Sequence, residues 1–279
     1  MNLPQLQTFL AILETGSLAN ASMRLHVAQS TVTARLHKLE EELGQSLFIR
    51  DKSGVSLTAT GLKFRRYAEA MSDLWQQARQ ETSLPDGISS VCNLGCEPDL
   101  WPSHGSKLIG HLHEQFPDVA MSTTQGKRDE LEEWLATGLI DVALCYQPVV
   151  HHDYSMIELK TESLVLVADR ADAPMRNDPG YIFVDASDDF ARRHSAEYSD
   201  AGIARVSFGS AVWALDFLLQ RGGSAYLPEH LVEQSCTEGR LFRTKDAPVF
   251  SRKVFLIMNE DSLSDWPWKA HIEHWCDSV

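Results

Sequence analysis

The sequence predicts an α/β protein in two parts, a small helical head followed by a larger body of strands and helices. Leucines recur at helical spacing through the first 44 residues, which predicts a bundle of short helices. After residue 90, short apolar runs alternate with helical patterns, which is typical of parallel strands joined by crossover helices. A length of 279 residues, at roughly 150 residues per domain, is consistent with two domains.

Charge divides the chain in the same way. Residues 1–80 carry nine Lys and Arg against seven Asp and Glu, the rest carry 16 against 32, and the formal net charge is −14. A mildly basic head on an acidic body is expected if only the head contacts a polyanion. The alternative is an acidic surface that is simply solvated.

The composition excludes several protein classes. Hydrophobic residues make up 43% and charged residues 23%, as in ordinary globular proteins. No apolar run reaches the roughly 18 residues of a membrane span and no secretory signal pattern is present, so we expect a soluble, cytoplasmic protein without a membrane partner. The five cysteines are odd in number and widely spaced, which favours reduced thiols over disulfides.

The head pattern predicts three helices. The first has apolar positions from Leu3 to Leu13 and ends at Gly16, where a left-handed C-cap belongs. Ser17 can cap a second helix, and "HVA" turns the chain into a third. The third helix buries a stripe at Val32, Leu36, Leu39 and Leu43. Two helices joined by such a tight turn have the geometry that enters a DNA major groove.

The other face of the third helix is polar. It exposes Ser30, Thr31, Ala34, Arg35 and Lys38, with Gln29 and Thr33 at its leading end. Gln pairs bidentately with adenine and Arg with guanine, while Ser and Thr reach bases or phosphates. We interpret this face as reading DNA. A helical hairpin with a solvated face is the alternative.

A β-hairpin follows the third helix. The stretch "LFIRDKSGVSLT" predicts an apolar strand, a turn around Ser53 and Gly54, and a second strand that ends at Thr58. This wing would carry Arg50 and Lys52 beside the reading helix, where cations contact the phosphate backbone.

Residues 16–61 resemble the winged helix-turn-helix of LysR-type transcriptional regulators. The matches are the Gln that opens the third helix, Leu39-Glu40, Leu-Phe-x-Arg ending at Arg50 and Leu-Thr-x-x-Gly ending at Gly61. The resemblance implies that the residues facing DNA are Gln29, Ser30, Thr31, Thr33, Arg35 and Lys38, with Arg50 and Lys52 near the backbone. Two positions depart from the family: Ala28 replaces a capping hydroxyl that contributes about 1 kcal/mol, and Thr33 stands where Ser is usual.

Residues 59–81 predict one long linker helix. An apolar stripe runs along it at Phe64, Tyr67, Ala68, Met71, Leu74, Trp75 and Ala78. Such a stripe either packs on its own chain or meets a partner helix. In the resembled family this helix pairs with its copy, which implies a homodimer or a dimer of dimers. The domains predicted are therefore a DNA-binding domain (1–58), the linker helix (59–81), a hinge (82–90) and an effector-binding domain (91–279).

The body resembles the effector domain of the same regulators, in which two α/β lobes are linked as in periplasmic binding proteins. The resemblance rests on "FPDVAMS", "GLIDVAL" and "GGSAYLP". It implies a first lobe of about residues 91–160 plus 260–279 and a second of about 161–259.

Ligands of open α/β sheets bind beyond the carboxyl ends of the strands. The positions predicted there are Pro98, Asp99, Leu100, Gln125, Gly126, Lys127, Cys145, Tyr146, Ala211, Val212 and Trp213. Lys127 at a helix N-terminus favours an anion, whereas Glu97 and Asp99 favour an amine or no ligand. Strand-end loops without any bound effector are the alternative.

Other chemistry has weak support in the sequence. His151, His152 and Asp153 are adjacent and should point apart, so we predict no metal site and no cofactor. Cys92 and Cys96 allow a redox pair, although buried structural cysteines are commoner. No GxSxG, P-loop or GxGxxG motif indicates an enzyme.

These observations predict a bacterial LysR-type regulator in which a small-molecule effector acts through its differential affinity for two assemblies. A DNA-binding architectural or silencing protein, whose C-terminal domain only oligomerises, is the main alternative. An enzyme that uses the cleft is a third hypothesis.

Overall fold

The computed structural model describes residues 1–51, 54–198, 204–259 and 268–278. The chain forms two compact units, which we call the head (Met1–Leu84) and the body (Pro85–Val279). The boundary between them falls inside the segment predicted as a hinge. None of the described helices combines the length and apolar character needed to span a bilayer.

The head contains the predicted helices and hairpin. Its elements are α1 (Leu3–Thr15), α2 (Leu18–Arg24), α3 (Gln29–Leu43), β1 (Phe48–Asp51), β2 (Gly54–Leu57) and α4 (Ala59–Glu81). Asn2 caps α1 by accepting from the Gln5 amide, and Ser17 caps α2. Gly16 and Gly44 end α1 and α3 in the left-handed conformation, with φ of 64° and 67°.

One apolar core holds the head together. Its fully buried side chains come from the three short helices, the start of the wing and one position of α4, and include Phe9, Ile12, Val32, Leu36, Leu39 and Leu47. Leu43 is 42% exposed, so the predicted stripe of α3 ends one turn early. The core fixes the orientation of α3 and leaves its polar face free.

The apolar stripe of the linker helix α4 is partly buried and partly exposed. Ala68 is buried and Phe64 and Met71 pack against the head core, so part of the stripe is satisfied by its own chain. Tyr67 and Trp75 remain 53% and 48% exposed. Packing on its own chain therefore accounts for part of the stripe, and pairing of the exposed part with a partner helix stays a prediction.

The body alternates strands and helices along the chain. Its described strands are β3 (Ser90–Cys96), β4 (Val119–Gln125), β5 (Val142–Cys145), β6 (Tyr154–Glu158), β7 (Glu162–Ala168), β8 (Tyr181–Val184), β9 (Val206–Phe208), β10 (Ser224–Pro228), β11 (Phe242–Arg243), β12 (Phe250–Arg252) and β13 (Phe255–Asn259). Its described helices are α5 (Ser106–Gln115), α6 (Arg128–Thr137), α7 (Asp188–Glu197), α8 (Ala211–Arg221), α9 (Glu229–Thr237) and α10 (Lys269–Ser278). A short 3₁₀ helix (Pro98–Leu100) and a π-helical turn (Trp101–Gly105) join β3 to α5.

The strands form two sheets, one in each lobe. The first has the order β4-β3-β5-β13-β6, and the second has the order β11-β7-β10-β8-β9 with β12 paired to β7. β3 runs parallel to β4 and β5, and β8 runs parallel to β9 and β10. The other pairs are antiparallel, so the expectation of parallel strands holds for only one side of each sheet, β4, β3 and β5 in the first and β10, β8 and β9 in the second.

The chain crosses between the lobes after β6 and again after β12. The two crossings are joined by a 2.8 Å hydrogen bond from the Leu159 amide to the Val254 carbonyl. The predicted second lobe extended to residue 259, but β13 (Phe255–Asn259) belongs to the first sheet. The boundary lies before Phe255 because pairing with β5 and β6 buries four consecutive apolar residues of β13.

Candidate DNA-binding surface and effector cleft

The polar face of α3 is accessible, as its sequence pattern predicts. Gln29, Ser30, Thr33 and Lys38 are exposed and Thr31 and Arg35 are half-buried. The Thr33 hydroxyl donates to the Gln29 carbonyl at 3.1 Å, which uses its only proton. No side chain caps the start of α3, where Ala28 has an extended backbone.

Several of these residues line one open groove of the head. Ser30, Thr31, Ala34, Arg35 and Lys38 of α3 meet Asn2, Pro4 and Gln5 from the start of α1 in a groove of about 660 Å³. The positive end of the α1 dipole attracts phosphate oxygens, as do the two cations. The polar pattern of α3 alone does not point to the α1 residues. Their signal is the Asn2-x-x-Gln5 capping box with Pro4 inside it, which marks a helix start.

The wing is anchored to α3 by the residues of the family motifs. The Glu40 carboxylate accepts from the Leu47 amide at 2.7 Å, which ties the start of β1 to α3. A Cβ at Gly61 would lie 2.0 Å from the Leu47 carbonyl oxygen, so only glycine fits there. Arg50 lies on β1 opposite Val55, and Lys52 falls outside the described residues. The predicted contacts of Arg50 and Lys52 with DNA stay predictions.

In the body, Asp99 of the first lobe bonds directly to the second lobe. Its buried carboxylate accepts from the Ser210 hydroxyl at 2.8 Å and from the Ala211 amide at 2.9 and 3.0 Å. Ala211 opens α8, so a protein carboxylate occupies the position where an anionic ligand would meet this helix. Asp99 and Ala211 therefore satisfy each other, and we call this contact the lobe clamp.

A small pocket lies at the carboxyl ends of β3 and β4. Pro98 and Gln125 come together there with Cys96, Trp101, Thr123 and Thr124, around a volume of about 320 Å³. The strand-end rule predicted Pro98 and Gln125. It missed Trp101, Thr123 and Thr124 because the π-helical turn at Trp101 and the exposed side of β4 are set by tertiary packing.

The other predicted effector residues have different surroundings. Leu100, Cys145 and Tyr146 are buried. Gly126 is buried against Trp134, whose ring would lie 2.5 Å from an added Cβ. Lys127 is exposed and its amide donates to Glu130 at 2.8 Å. Val212 and Trp213 are 37% and 69% exposed on α8. The structure does not gather these residues into the pocket of Pro98 and Gln125.

A buried ionic cluster also joins the two lobes. Arg252 of β12 donates to Glu162 at 2.6 Å and to the Tyr146 hydroxyl at 2.6 Å, with its guanidinium 3.5 Å from the centre of the Tyr146 ring. His230 lies 2.9 Å from the second oxygen of Glu162. Burial would raise the pKa of Glu162, but His230 and Arg252 outweigh it and lower the pKa. Sequence reasoning missed Arg252 and Glu162 because they lie far apart in the chain.

One carboxyl group and one phenol hydroxyl close to this cluster have raised pKa values. Burial raises the pKa of Glu97, and the opposing effect of the Tyr146 amide, which donates to it at 3.0 Å, is smaller. Burial also raises the pKa of the Tyr146 hydroxyl. Both groups therefore favour their uncharged forms more than exposed groups do.

Burial disfavours the thiolate form of three cysteines in the first lobe. Cys92, Cys96 and Cys145 are buried and unpaired. Burial raises the pKa of Cys96 and of Cys145 to about 12, and that of Cys92 further. Because the thiolate is the reactive form, this environment opposes the redox role considered for Cys92 and Cys96.

Adjacent side chains in the loop before β6 do converge. Ligand atoms of His151, His152 and Asp153 lie within 4.8 Å of one another, so the expectation that they point apart is wrong. The local turn brings both imidazoles to the Asp153 carboxylate, at 3.4 and 3.1 Å. These exposed groups can offer three ligands to a metal ion.

Comparison with known proteins assigns the family. Residues 3–62 match the family described as "Bacterial regulatory helix-turn-helix protein, lysR family", and residues 85–274 match the "LysR substrate binding domain". The HTH-type transcriptional regulator YofA of Bacillus subtilis is 28% identical over 235 residues, which cover 82% of each chain.

Solved structures show the same fold. The crystal structure of CbnR, a LysR family transcriptional regulator, superposes with a TM-score of 0.70 at 20% identity and covers 94% of this chain and 93% of its own. Full-length CbnR complexed with its target DNA gives the same TM-score at 21% identity, covering 94% of both chains. The two family matches together span most of the sequence, and the protein belongs to the LysR family of DNA-binding transcriptional regulators, with an N-terminal helix-turn-helix and a C-terminal effector-binding domain.

Proposed function

We propose that the protein regulates transcription as a homodimer, or a dimer of dimers, in which α3 of each subunit reads DNA and the body responds to a small molecule. The observation that carries this proposal is the groove of the head, where Ser30, Thr31, Arg35 and Lys38 lie on one accessible helix face. The fold shared with CbnR, which was crystallised with its target DNA, supports the same use of the head.

The groove residues divide into two roles. Arg35 supplies the fork of donors that pairs with a guanine edge, and Gln29 supplies the amide that pairs with adenine. Lys38, the N-terminus of α1, and Arg50 and Lys52 of the wing contact phosphates and set the register on the duplex. Ser30, Thr31 and Thr33 complete the face.

The test is direct binding of full-length protein to duplexes. A site selected from a random library and a scrambled duplex of equal length are compared by fluorescence anisotropy over a range of salt concentrations. We expect tighter binding to the selected site, and an affinity for both duplexes that falls as salt rises. Failure to bind either duplex at low ionic strength would contradict the proposal.

The exposed part of α4 supports the homodimer. Leu62, Tyr67 and Trp75 are large apolar side chains that the head core does not cover, and a helix with such a face needs a partner. We expect Trp75→Glu to lower the mass measured by light scattering. Gln76→Glu adds the same charge at the next exposed position and should leave the mass unchanged. Equal masses for both variants would exclude α4 as the contact.

For the effector, we propose the pocket of Trp101, Thr123, Thr124 and Gln125, which offers one aromatic face and several hydroxyl and amide groups. A ligand bound there acts by favouring one arrangement of the lobes over another. We propose that the protein works in the cytoplasm by binding alone, without a resident cofactor or metal and without turnover.

The lobe clamp favours a second candidate, a DNA-binding architectural protein whose body only oligomerises. Asp99 already fills the anion position of α8, as expected of a body that binds no anionic effector. A thermal-shift screen of the full-length protein separates the candidates, because an effector raises the melting temperature with concentration. A compound that stabilises the native protein but not Gln125→Ala supports the sensor. If no compound in the screen raises the melting temperature in this way, the architectural role is supported.

A further inference from the structure

The second lobe contains a cavity of its own. Its volume is about 230 Å³, and its walls include Leu166, Met175, Tyr181, His194, Tyr198 and Tyr226. It shares no lining residue with the pocket of Trp101 and Gln125. An engineered apolar cavity of about 150 Å³ binds benzene, so this space is large enough for one substituted ring.

The aromatic walls carry polar atoms with a defined hydrogen-bond pattern. Tyr226 donates its single proton to the Pro248 carbonyl at 3.0 Å, so Tyr198, 2.6 Å away, must donate to Tyr226. The Tyr198 oxygen therefore keeps lone pairs for an incoming donor. Tyr181 and His194 bond to each other at 2.8 Å with their rings stacked. Burial lowers the pKa of His194, which favours the neutral imidazole.

Among the described residues that line the cavity, Arg205 is the cation without an ion pair. Arg176 is bound to the Glu197 carboxylate at 2.9 Å, and Asp178 accepts from Arg170 at 2.9 Å and from Ser224 at 2.6 Å. Arg205 is exposed at the cavity, and no ion pair joins it to a carboxylate of the described residues. The cavity therefore combines ring faces and an acceptor oxygen with a cationic edge.

We propose that this cavity is a second ligand site that binds a single-ring aromatic carboxylate bearing a hydroxyl group. The ring packs against Tyr181 and Tyr226, the ligand hydroxyl donates to the Tyr198 oxygen, and the carboxylate pairs with the Arg205 guanidinium. The proposal does not depend on DNA binding or on an effector at Gln125.

Isothermal titration of the full-length protein with 4-hydroxybenzoate tests the site. Arg205→Gln should weaken binding by about tenfold or more, because it removes a charge-assisted hydrogen bond. Tyr198→Phe should weaken it less, and Ala204→Phe, which fills the cavity, should abolish it. Gln125→Ala, in the other pocket, is the matched control and should bind like the native protein. Thermal melting checks that each variant is folded.

A neutral probe isolates the role of charge. We expect 4-hydroxybenzyl alcohol to bind the native protein about tenfold more weakly than 4-hydroxybenzoate and to bind Arg205→Gln equally well. The proposal is overturned if 4-hydroxybenzoate gives no saturable heat at millimolar concentration. It is also overturned if folded Arg205→Gln and Ala204→Phe bind like the native protein, or if Gln125→Ala alone loses binding.

Discussion

The reading face of the head and the cleft of the body differ in how their polar groups are used. On α3, Arg35 and Lys38 face an open groove. In the cleft, Asp99 and Arg252 are buried and bonded to the opposite lobe. The comparison shows that a polar residue in the right place of a family fold is not always available to a ligand. In this body, some of the polar side chains hold the two lobes together instead of facing a ligand.

The largest expected effect concerns the ionic cluster. Glu162→Gln should lower the free energy of unfolding of the body by about 3–5 kcal/mol, because it leaves the buried Arg252 without a counter-charge. Glu158→Gln breaks the exposed pair with Lys253 and should cost at most about 1 kcal/mol. Denaturant titration measures both. If both variants lost equally little unfolding free energy, the buried charge of Glu162 would not be essential to the body.

The same cluster predicts a pH dependence. The pKa of Glu162 is lowered in the folded protein, so its ionised form stabilises the body at neutral pH. That contribution should disappear as the pH falls below the ordinary value of 4.5 towards the lower folded value. The stability difference between native protein and Glu162→Gln should therefore narrow in acid. A constant difference from pH 7 to pH 3 would contradict this assignment.

In the head, Arg35→Ala should weaken binding to a selected site by about 1–3 kcal/mol and reduce the preference for one base. Lys38→Ala should weaken binding to all duplexes alike and make the affinity less dependent on salt. Arg192→Ala, at an exposed arginine of α7, is the matched control. Anisotropy titrations over salt measure all three. If Arg35→Ala lost equal affinity for selected and random DNA, Arg35 would be a phosphate contact.

The lobe clamp gives the next effect. Asp99→Asn keeps an acceptor but loses the charge at the start of α8, and should destabilise the body by about 1–3 kcal/mol. Asp216→Asn, on the exposed side of the same helix, removes equal charge and should have little effect. Small-angle scattering should show wider lobes only for Asp99→Asn. Unchanged scattering and stability would mean that the clamp is unimportant.

The smallest effect lies at the start of the reading helix. Ala28→Ser supplies the missing cap of α3 and should stabilise the head by about 1 kcal/mol. Ala34→Ser, inside the same helix, should instead cost a few tenths of a kcal/mol. Thermal unfolding without DNA distinguishes them. A destabilised Ala28→Ser would show that its hydroxyl does not reach the helix amides.

The head was more predictable than the body because its signals are local. Gly16 and Gly44 end helices, and Ser17 begins one, within a few residues of the apolar stripes they bound. The body elements were predicted by type, but the pairing of β13 with the first sheet was not. Strand pairing depends on partners distant in the chain, which no local pattern specifies.

The candidate sites follow the same rule. Helical periodicity alone separates Arg35 and Lys38 from the buried Leu36 and Leu39 on α3. The strand-end rule brought Pro98 and Gln125 to one pocket, but it could not show that Asp99 turns away to α8. Which neighbour a polar side chain finds depends on packing between elements.

The sequence by itself determined the helix-turn-helix, the long linker helix and which face of α3 is polar and accessible, because periodicity and capping act over a few residues. Tertiary structure alone decided that Asp99 clamps the lobes, that Arg252 reaches Tyr146, and that the second lobe keeps an aromatic cavity. Those contacts join segments up to about a hundred residues apart. They form only when two sheets and their crossings pack around them and exclude water.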